Sequence, residues 1–237
     1  MVFVSDGALY ASAGQSLNLN WKWEDIAKHL KINVRDSMSA LDIKNNLLGV
    51  CDQMYLFEPG DDTTVCVLKA VKPKKVKLFT GPPTHKEDDA KVVHELMNNA
   101  DIRIVSGGTT SQIVACELGV EVKSSTEIYD KEVPPIAYIH GINLVTEGVL
   151  TLSKTIDRLK SLSKSLDSNI FKAKDGASQM AKLLYSASHI KLLVGRSLNI
   201  ANAEISFQRD LELRLHVIGE LEKILVKLGK IVTIEYY

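Results

Sequence analysis

Two aspartates near the start of the chain lie beside apolar segments that have the character of β-strands. Val-Ser-Asp-Gly (residues 4–7) ends the first segment, and Gly-Asp-Asp-Thr-Thr (residues 60–64) leads into the second. Two carboxylates that a sheet brings together suit Mg²⁺ or Mn²⁺, because these hard cations take oxygen ligands in near-octahedral geometry. Asp6 and Asp61 are therefore candidate metal ligands. Taken singly, each sequence is also common in turns, where Asp bonds to its own backbone two residues on.

A glycine-rich turn lies between an apolar segment and an amphipathic one, and consists of Gly107, Gly108, Thr109 and Thr110. A helix that begins here offers unpaired N–H groups and the positive end of its dipole, so the turn can bind an anion. It lacks the glycine and lysine spacing of the P-loop and of the dinucleotide-binding fingerprint. In a second interpretation Thr109 and Gln112 form a capping box that only starts the helix. Both interpretations stay open.

Other residues are predicted to join this turn at one edge of a sheet. The turns at residues 81–83 and 195–197 each follow an apolar strand, and ligands of parallel sheets bind outside the carboxyl ends of the strands. Arg196 is the natural cation there for a carboxylate or phosphate group. The segment from residue 121 to residue 143 is long for a plain connection, which favours a binding loop or a lid. Glu147 is interpreted as a dipole partner in the first turn of a helix rather than as a ligand.

The composition excludes several classes of function. Lysine plus arginine and aspartate plus glutamate both number 29 in the 237 residues, so no net charge draws the chain to nucleic acid or acidic lipid. The six histidines show no paired spacing typical of a zinc site. No apolar run approaches the roughly 18 residues of a membrane span. The three cysteines are odd in number, which predicts reduced thiols and a cytoplasmic protein.

Residues 1–72 are predicted to fold as strand, helix, helix and strand. Apolar residues recur at helical spacing from Trp23 to Leu30 and from Ile43 to Met54, and a strand is expected from Thr64 to Ala70. Two strands and two helices cannot bury their own apolar faces. We therefore expect this unit to be incomplete, and to be covered by a second copy in a homodimer or by the rest of the chain.

Pro73 and the lysines around it mark the start of a second domain, residues 73–237. Strands at 76–81, 102–107 and 190–195 alternate with helices, and each strand is apolar almost throughout. This pattern is typical of an α/β domain with a mostly parallel sheet that helices cover on both faces. The predicted helices span residues 87–100, about 146–164 and 210–228, and a further helix runs from the glycine-rich turn to residue 118. Their expected end signals are a capping box at Thr84 and Glu87, an N-cap at Asp175, and glycines at positions 119 and 229.

The order of strand, Ser-Asp-Gly, two helices and Asp-Asp-Thr-Thr-Val resembles the C-terminal part of metal-dependent protein phosphatases of the 2C type. The bacterial branch typified by the stage II sporulation protein E phosphatase is the most similar. The resemblance covers about the first 70 residues and rests on residues 4–7 and 61–65. It implies that Asp6 and Asp61 bind a binuclear Mg²⁺ or Mn²⁺ centre, with Asp62 at a variable position. The metal-bound hydroxide would attack a phosphoserine or phosphothreonine of a phosphoprotein substrate.

The chain departs from that family because it lacks the first Asp-Gly metal motif and the phosphate-binding arginine of the N-terminal half. The Asp-Gly pair at residues 175–176 lies downstream and cannot replace them. We therefore expect weak metal binding and little phosphatase activity from this chain alone. The Gly-Gly-Thr-Thr domain is similar to domains that follow the phosphatase unit in some bacterial relatives, which implies an association with the phosphatase. We expect it to regulate the phosphatase by binding a small anionic ligand.

Two other functions stay open. The α/β domain can itself be an enzyme that acts on a phosphorylated metabolite through Thr109, Thr110 and Arg196. In the third hypothesis the chain is a structural module that docks a partner or dimerises through residues 1–72.

Overall fold

The computed structural model describes residues 1–12, 21–36, 38–58, 60–164, 172–197 and 206–237. The chain divides into two units, Met1–Lys72 and Pro73–Tyr237. No helix in these described ranges is long and apolar enough to cross a membrane.

The first unit contains a small antiparallel sheet, with two strands among its described residues. Strand β1 (Val2–Val4) pairs with β2 (Val65–Val67), which is shorter than the strand predicted from the sequence. The helices of this unit are α1 (Asp6–Leu9), α2 (Trp23–Asn33) and α3 (Ala40–Met54). The core that these elements share consists of Ala8, Ala11, Ile26, Leu47, Cys51, Tyr55 and Val65.

A capping box starts helix α3. The Ser39 hydroxyl accepts the N–H of Asp42 at 3.1 Å, and the Asp42 carboxylate accepts the N–H of Ser39 at 2.9 Å. The bonds from Ser39 hold the pKa of Asp42 below its usual value. Ile43, Leu47 and Cys51 follow at helical spacing and are buried. The capping box and the spacing of the apolar residues therefore both indicate a helix here.

The second unit is built on a mostly parallel sheet of seven strands among its described residues. In chain order these strands are β3 (Lys75–Thr80), β4 (Ile102–Ser106), β5 (Lys123–Ser124), β6 (Ala137–Tyr138), β7 (Leu144–Thr146), β8 (His189–Val194) and β9 (Ile231–Tyr236). Their spatial order is β5-β6-β7-β4-β3-β8-β9. The strands from β7 to β9 pair in parallel, whereas β5 and β6 add an antiparallel edge. The predicted α/β class with a mostly parallel sheet is confirmed.

Helices cover both faces of this sheet. They are α4 (Asp89–Met97), α5 (Gly108–Leu118), α6 (Val149–Lys164), α7 (Gly176–Ser186) and α8 (Ser206–Lys227). On one face, α4 and α5 pack with Phe79 and Val105, and on the other face α6, α7 and α8 pack with Leu78 and Ile104. Because both faces of each central strand are buried, these strands carry neighbouring apolar residues, with Lys77, Arg103 and Lys191 among them, and the sequence revealed their positions.

Three predicted helix-end signals are confirmed. Gly119 follows α5 with a φ of 64°, and Gly229 follows α8 with a φ of 77°. Both are left-handed conformations that glycine adopts without steric cost. Asp175 caps α7, because its carboxylate accepts the N–H of Ser178 at 2.9 Å. Each signal acts within a few residues of its own position, so the sequence is enough to identify it.

The capping box predicted at Thr84 and Glu87 is wrong. The helical segment starts with a 3₁₀ turn at Lys86–Asp88, and no side chain caps that turn. The Thr84 hydroxyl instead donates to the main-chain oxygen of Tyr237 at 3.2 Å. The hydroxyl that the local pattern assigned to the helix start therefore bonds to a residue 153 positions away in the sequence.

A network of charged side chains crosses the face of the sheet that α4 covers. Lys77 of β3, with a side chain 9% exposed, contacts Glu95 of α4 at 2.6 Å. Glu95 also contacts Lys191 of β8 at 2.8 Å, and Lys191 contacts Glu235 of β9 at 2.6 Å. The hydrogen bond from Lys191 and, to a smaller extent, the one from Lys77 lower the pKa of Glu95. The network ties three strands to one helix.

Replacing Glu95 with glutamine is expected to lower the free energy of unfolding by about 2 kcal/mol at pH 7, because the buried Lys77 ammonium loses its counter-charge. The folded-state pKa of Glu95 lies below its unfolded value of about 4.3. Its contribution is therefore complete above that value and is lost as the pH falls through the folded-state pKa. Denaturant unfolding of both proteins at pH 7 and pH 3 measures the effect. Glu117→Gln on the exposed side of α5 is the control, and an equal difference at both pH values would contradict the prediction.

Candidate functional site

Three neighbouring strands end in hydroxyl side chains at one edge of the sheet. Thr80 of β3 lies opposite Ser106 of β4, and Ser106 lies opposite Thr146 of β7. Their exposed fractions are 1%, 0% and 4%. Side chains two residues apart in a strand share a face, so Thr80 lies on the same face as Leu78, which α6, α7 and α8 cover. We call these three residues the hydroxyl row.

Two members of the hydroxyl row bind the backbone that follows β7. The Ser106 hydroxyl donates to the main-chain oxygen of Glu147 at 2.8 Å, and the Thr146 hydroxyl donates to the same oxygen at 3.0 Å. The hydroxyl of Thr80 has no hydrogen-bond partner among the described residues. Thr80 differs from its two neighbours in this respect, although it is as deeply buried.

A cavity of about 610 Å³ opens above the hydroxyl row. Its walls are the turn after β3 (Thr80–Pro82), the start of α5 (residues 106–110), the start of α6 (residues 147–150), Pro134 and Arg214. The cavity therefore lies outside the carboxyl ends of parallel strands, where open α/β sheets bind ligands. The sequence predicted this edge, but it revealed neither the hydroxyl row nor the shape of the cavity.

Helix α5 begins two residues earlier than a capping box at Thr109 requires. Gly107 is the N-cap residue with a φ of 119°, and its carbonyl accepts the N–H of Ser111 at 2.9 Å. Thr109 therefore lies inside the first helical turn, and the capping box with Gln112 is wrong. No side chain caps this helix. Its first N–H groups and the positive end of its dipole are left at the cavity.

Thr110 has a structural role in the same turn. It is fully buried, and its hydroxyl oxygen accepts the N–H of Gly81 at 2.9 Å. Gly81 has a φ of 79°, which only glycine adopts at no steric cost. This bond joins the turn after β3 to the turn after β4 and so fixes two walls of the cavity.

Arg196 does not line the cavity. Its guanidinium lies over the ring of Tyr236, 5.3 Å from the ring centroid. The main-chain N–H of Arg196 donates to the main-chain oxygen of Tyr237 at 2.8 Å. The residue is exposed. The geometry therefore gives Arg196 a cation–π contact at the end of β9 rather than a position at the cavity.

The arginine at the cavity is Arg214 of α8, which the sequence analysis missed. Its Nη1 atom donates to the main-chain oxygen of Gly195 at 3.3 Å. The sequence contains an indication of this residue, because Arg214 lies three residues after Leu211 and four before Ile218 and so interrupts the apolar stripe of α8. A charged residue on such a stripe indicates a specific partner or a site.

The long connection from residue 121 to residue 143 reaches the cavity through Pro134. Two ion pairs hold it to α6: Arg158 contacts Asp130 at 3.0 Å, and Lys154 contacts Glu132. The connection contains β5 and β6 and therefore has some regular structure of its own. Its position agrees with a binding loop that forms one wall of the cavity.

In the first unit, Ser5 joins the two acidic segments. Its N–H donates to the main-chain oxygen of Thr64 at 3.0 Å, and its hydroxyl donates to the main-chain oxygen of Asp62 at 3.1 Å. The same hydroxyl accepts the N–H of Thr64 at 2.9 Å. Asp6 consequently follows a residue that is bonded directly to the turn containing Asp61. We call residues 5–7 and 61–64 the acidic corner.

Comparison with family models, with curated proteins and with solved structures finds no match to this chain. The resemblance of residues 1–72 to a phosphatase therefore stays a prediction. Both the cavity and the acidic corner are interpreted from their own geometry and chemistry.

The carboxylates of Asp6 and Asp61 are exposed, and each accepts a hydrogen bond from a local N–H group. Asp6 accepts the N–H of Gly7 at 3.0 Å, and Asp61 accepts the N–H of Asp62 at 2.8 Å. These are turn contacts that leave further lone pairs for a cation. Within the described residues no group of three His, Cys, Asp or Glu side chains is arranged to hold a metal ion. The two carboxylates fit Mg²⁺ or Mn²⁺ in donor type, with the other coordination positions left to water or further groups.

Proposed function

We propose that this chain is part of a bacterial metal-dependent protein serine/threonine phosphatase, and that its second unit regulates the phosphatase by binding a small anionic ligand. The observation that carries the proposal is the cavity, where the starts of α5 and α6 meet Arg214. Two helix N-termini and one guanidinium favour an anion. The acidic corner, with the exposed carboxylates of Asp6 and Asp61, supports the phosphatase part of the proposal.

In this proposal Asp6 and Asp61 hold Mg²⁺ or Mn²⁺ through their remaining carboxylate lone pairs. Ions held there would supply Lewis-acid chemistry toward the phosphate of a phosphoserine or phosphothreonine. Ser5 keeps the two acidic segments aligned by its bonds to the main chain of Asp62 and Thr64. Two carboxylates alone hold a divalent cation weakly, so we expect little hydrolysis by this chain on its own.

The alternative of an enzyme that acts on a phosphorylated metabolite receives less support from the geometry. It relied on Thr109, Thr110 and Arg196. The hydroxyl of Thr110 is bonded to the N–H of Gly81, and the guanidinium of Arg196 lies over Tyr236. The backbone N–H groups at the cavity bind an anion, but they supply no nucleophile or general base.

The metal-binding part is tested by titrating the whole chain with Mn²⁺ in a calorimeter. We expect saturable binding that Asp6→Asn and Asp61→Asn each abolish, because each variant removes a carboxylate charge and keeps the shape of the side chain. Asp52→Asn changes an exposed aspartate of α3 and is the matched control. Binding that is equal in the wild type and in Asp61→Asn would contradict the assignment. Hydrolysis of an aryl phosphate with and without Mn²⁺ then measures any turnover.

The ligand-binding part is tested with inorganic phosphate and the variant Gly108→Val. An added Cβ at Gly108 meets nothing within 4 Å, so the larger side chain fits the fold but covers the start of α5. We expect phosphate to raise the melting temperature of the wild type and not of Gly108→Val. Gly219→Val is the control, because Gly219 is a helical glycine of α8 with equally open surroundings. A phosphate effect that survives Gly108→Val would place the anion elsewhere.

A further inference from the structure

The hydroxyl of Thr80 is the feature of the cavity that the fold does not explain. Thr80 is 1% exposed and lines the cavity, and no described residue is its hydrogen-bond partner. Its neighbours Ser106 and Thr146 both donate to Glu147. The hydroxyl oxygen is not enclosed by protein atoms and is open to the cavity, where a polar group of a ligand can bond to it. A ligand in the cavity would provide the missing partner.

The donors around Thr80 indicate an anion. The free N–H groups of the first turn of α5 lie at the cavity, and so do those of α6, whose start is marked by the bond from the N–H of Leu152 to the carbonyl of Gly148. Arg214 lines the same cavity. Helix N-termini and a guanidinium together bind phosphate through several charge-assisted hydrogen bonds. The hydroxyl of Thr80 adds one more donor to this set.

Glu147 makes a bare anion a weaker ligand than one that also carries hydroxyl groups. Glu147 is an exposed residue that lines the cavity two positions before the first residue of α6, and it makes no ion pair with a described residue. A carboxylate repels free phosphate but accepts hydrogen bonds from hydroxyl groups. A ligand that carries both a phosphate and hydroxyl groups satisfies the two helix ends and Glu147 together.

We infer that the cavity binds the phosphate monoester of a small polyhydroxy compound, with its phosphate at Thr80, Arg214 and the helix N-termini and its hydroxyls at Glu147. This inference rests on the anionic-ligand part of the proposed function and makes it more specific. The cavity volume of about 610 Å³ is of the size that holds a small organic ligand. Glu147 acts here as the residue that selects hydroxyl-bearing esters.

The test compares three probes by calorimetry on the whole chain: inorganic phosphate, propyl phosphate and glycerol 3-phosphate. The last two share a carbon skeleton and a phosphate and differ by two hydroxyls. Two hydrogen bonds to a carboxylate are expected to make glycerol 3-phosphate bind about tenfold tighter than propyl phosphate. Glu147→Gln is expected to reduce that ratio to about threefold or less and to strengthen the binding of inorganic phosphate about threefold. Glu121→Gln is the control variant, because Glu121 is exposed and does not line the cavity.

Thr80→Val tests the phosphate end of the ligand. Valine has the shape of threonine without the hydroxyl, so the melting temperature of the free protein should be unchanged or higher. We expect both esters to bind about tenfold more weakly, with their ratio unchanged. Unchanged binding in this variant would overturn the role of Thr80.

The outcomes separate the inference from the proposal beneath it. Equal binding of both esters by the wild type would overturn the inference and leave an anion site that does not select hydroxyls. A ratio that Glu147→Gln leaves at its wild-type value would overturn the role of Glu147. If none of the three probes binds, the inference and the anionic-ligand part of the proposed function both fail.

Discussion

Gly195→Ala is expected to lower the free energy of unfolding of the second unit by at least about 4 kcal/mol, a loss seen only for severe disruptions. A Cβ at Gly195 would lie 2.1 Å from the main-chain oxygen of Pro82 and 2.3 Å from that of Gly81. Both atoms belong to the backbone, so no side chain can rotate away. One of the two turns would have to move.

The two turns cannot separate without breaking the sheet edge. The N–H of Gly195 donates to the main-chain oxygen of Thr80 at 3.0 Å, and the N–H of Ser197 donates to that of Pro82 at 3.1 Å. These bonds lie where the strand order reverses, since β4 follows β3 on one side and β8 lies on the other. A shift here also moves Thr80 and so one wall of the cavity. The variant should therefore lose phosphate binding together with stability.

Denaturant unfolding followed by circular dichroism measures the loss. Gly108→Ala is the matched control, because it adds the same methyl group where nothing lies within 4 Å. We expect the control to differ from the wild type by less than about 1 kcal/mol. A Gly195→Ala protein as stable as this control would show that the two turns pack less closely than described.

The sequence was sufficient for the α/β class because the central strands carry their own signal. Burial on both faces gives β3, β4 and β8 neighbouring apolar residues around Lys77, Arg103 and Lys191, and a polar residue or a glycine closes each run. Helix ends were predictable where the partner is local, as at Asp175 and Ser178. Predictions of helix caps from local sequence were wrong where a residue distant in the sequence bonds to the capping side chain instead. Thr84 donates to a main-chain oxygen at the end of β9, so its capping box does not form.

The candidate site was only partly predictable, because its key features depend on register. Thr80, Ser106 and Thr146 form a row only when three strands align with no offset, and no short segment encodes that alignment. The choice of Arg196 over Arg214 failed for a related reason. Residue 196 is adjacent in sequence to the turn after β8, whereas Arg214 reaches that turn from a helix nearly 20 residues later. The fold brings Arg214, and not Arg196, to the cavity.

Gly7→Ala is expected to destabilise the first unit by about 3 kcal/mol and to abolish Mn²⁺ binding at the acidic corner. A Cβ at Gly7 would lie 2.5 Å from the main-chain oxygen of Asp62 and 3.0 Å from the hydroxyl oxygen of Thr63. The main chain here is also held in place, because the buried hydroxyl of Tyr55 donates to the main-chain oxygen of Gly7 at 2.8 Å. The added methyl group therefore forces the segment containing Asp6 away from the one containing Asp61.

Comparison with Asp6→Asn separates the role of geometry from the role of charge. Asp6→Asn should keep the stability of the unit and lose Mn²⁺ binding, whereas Gly7→Ala should lose both. Gly49→Ala is the control, because it adds a methyl group to α3 where nothing lies within 4 Å, and alanine favours a helix. Calorimetric Mn²⁺ titration and denaturant unfolding of the three variants measure both quantities. If Gly7→Ala retains wild-type Mn²⁺ affinity, the close approach of the two segments is not what positions the carboxylates, and metal binding at the acidic corner must depend on other residues.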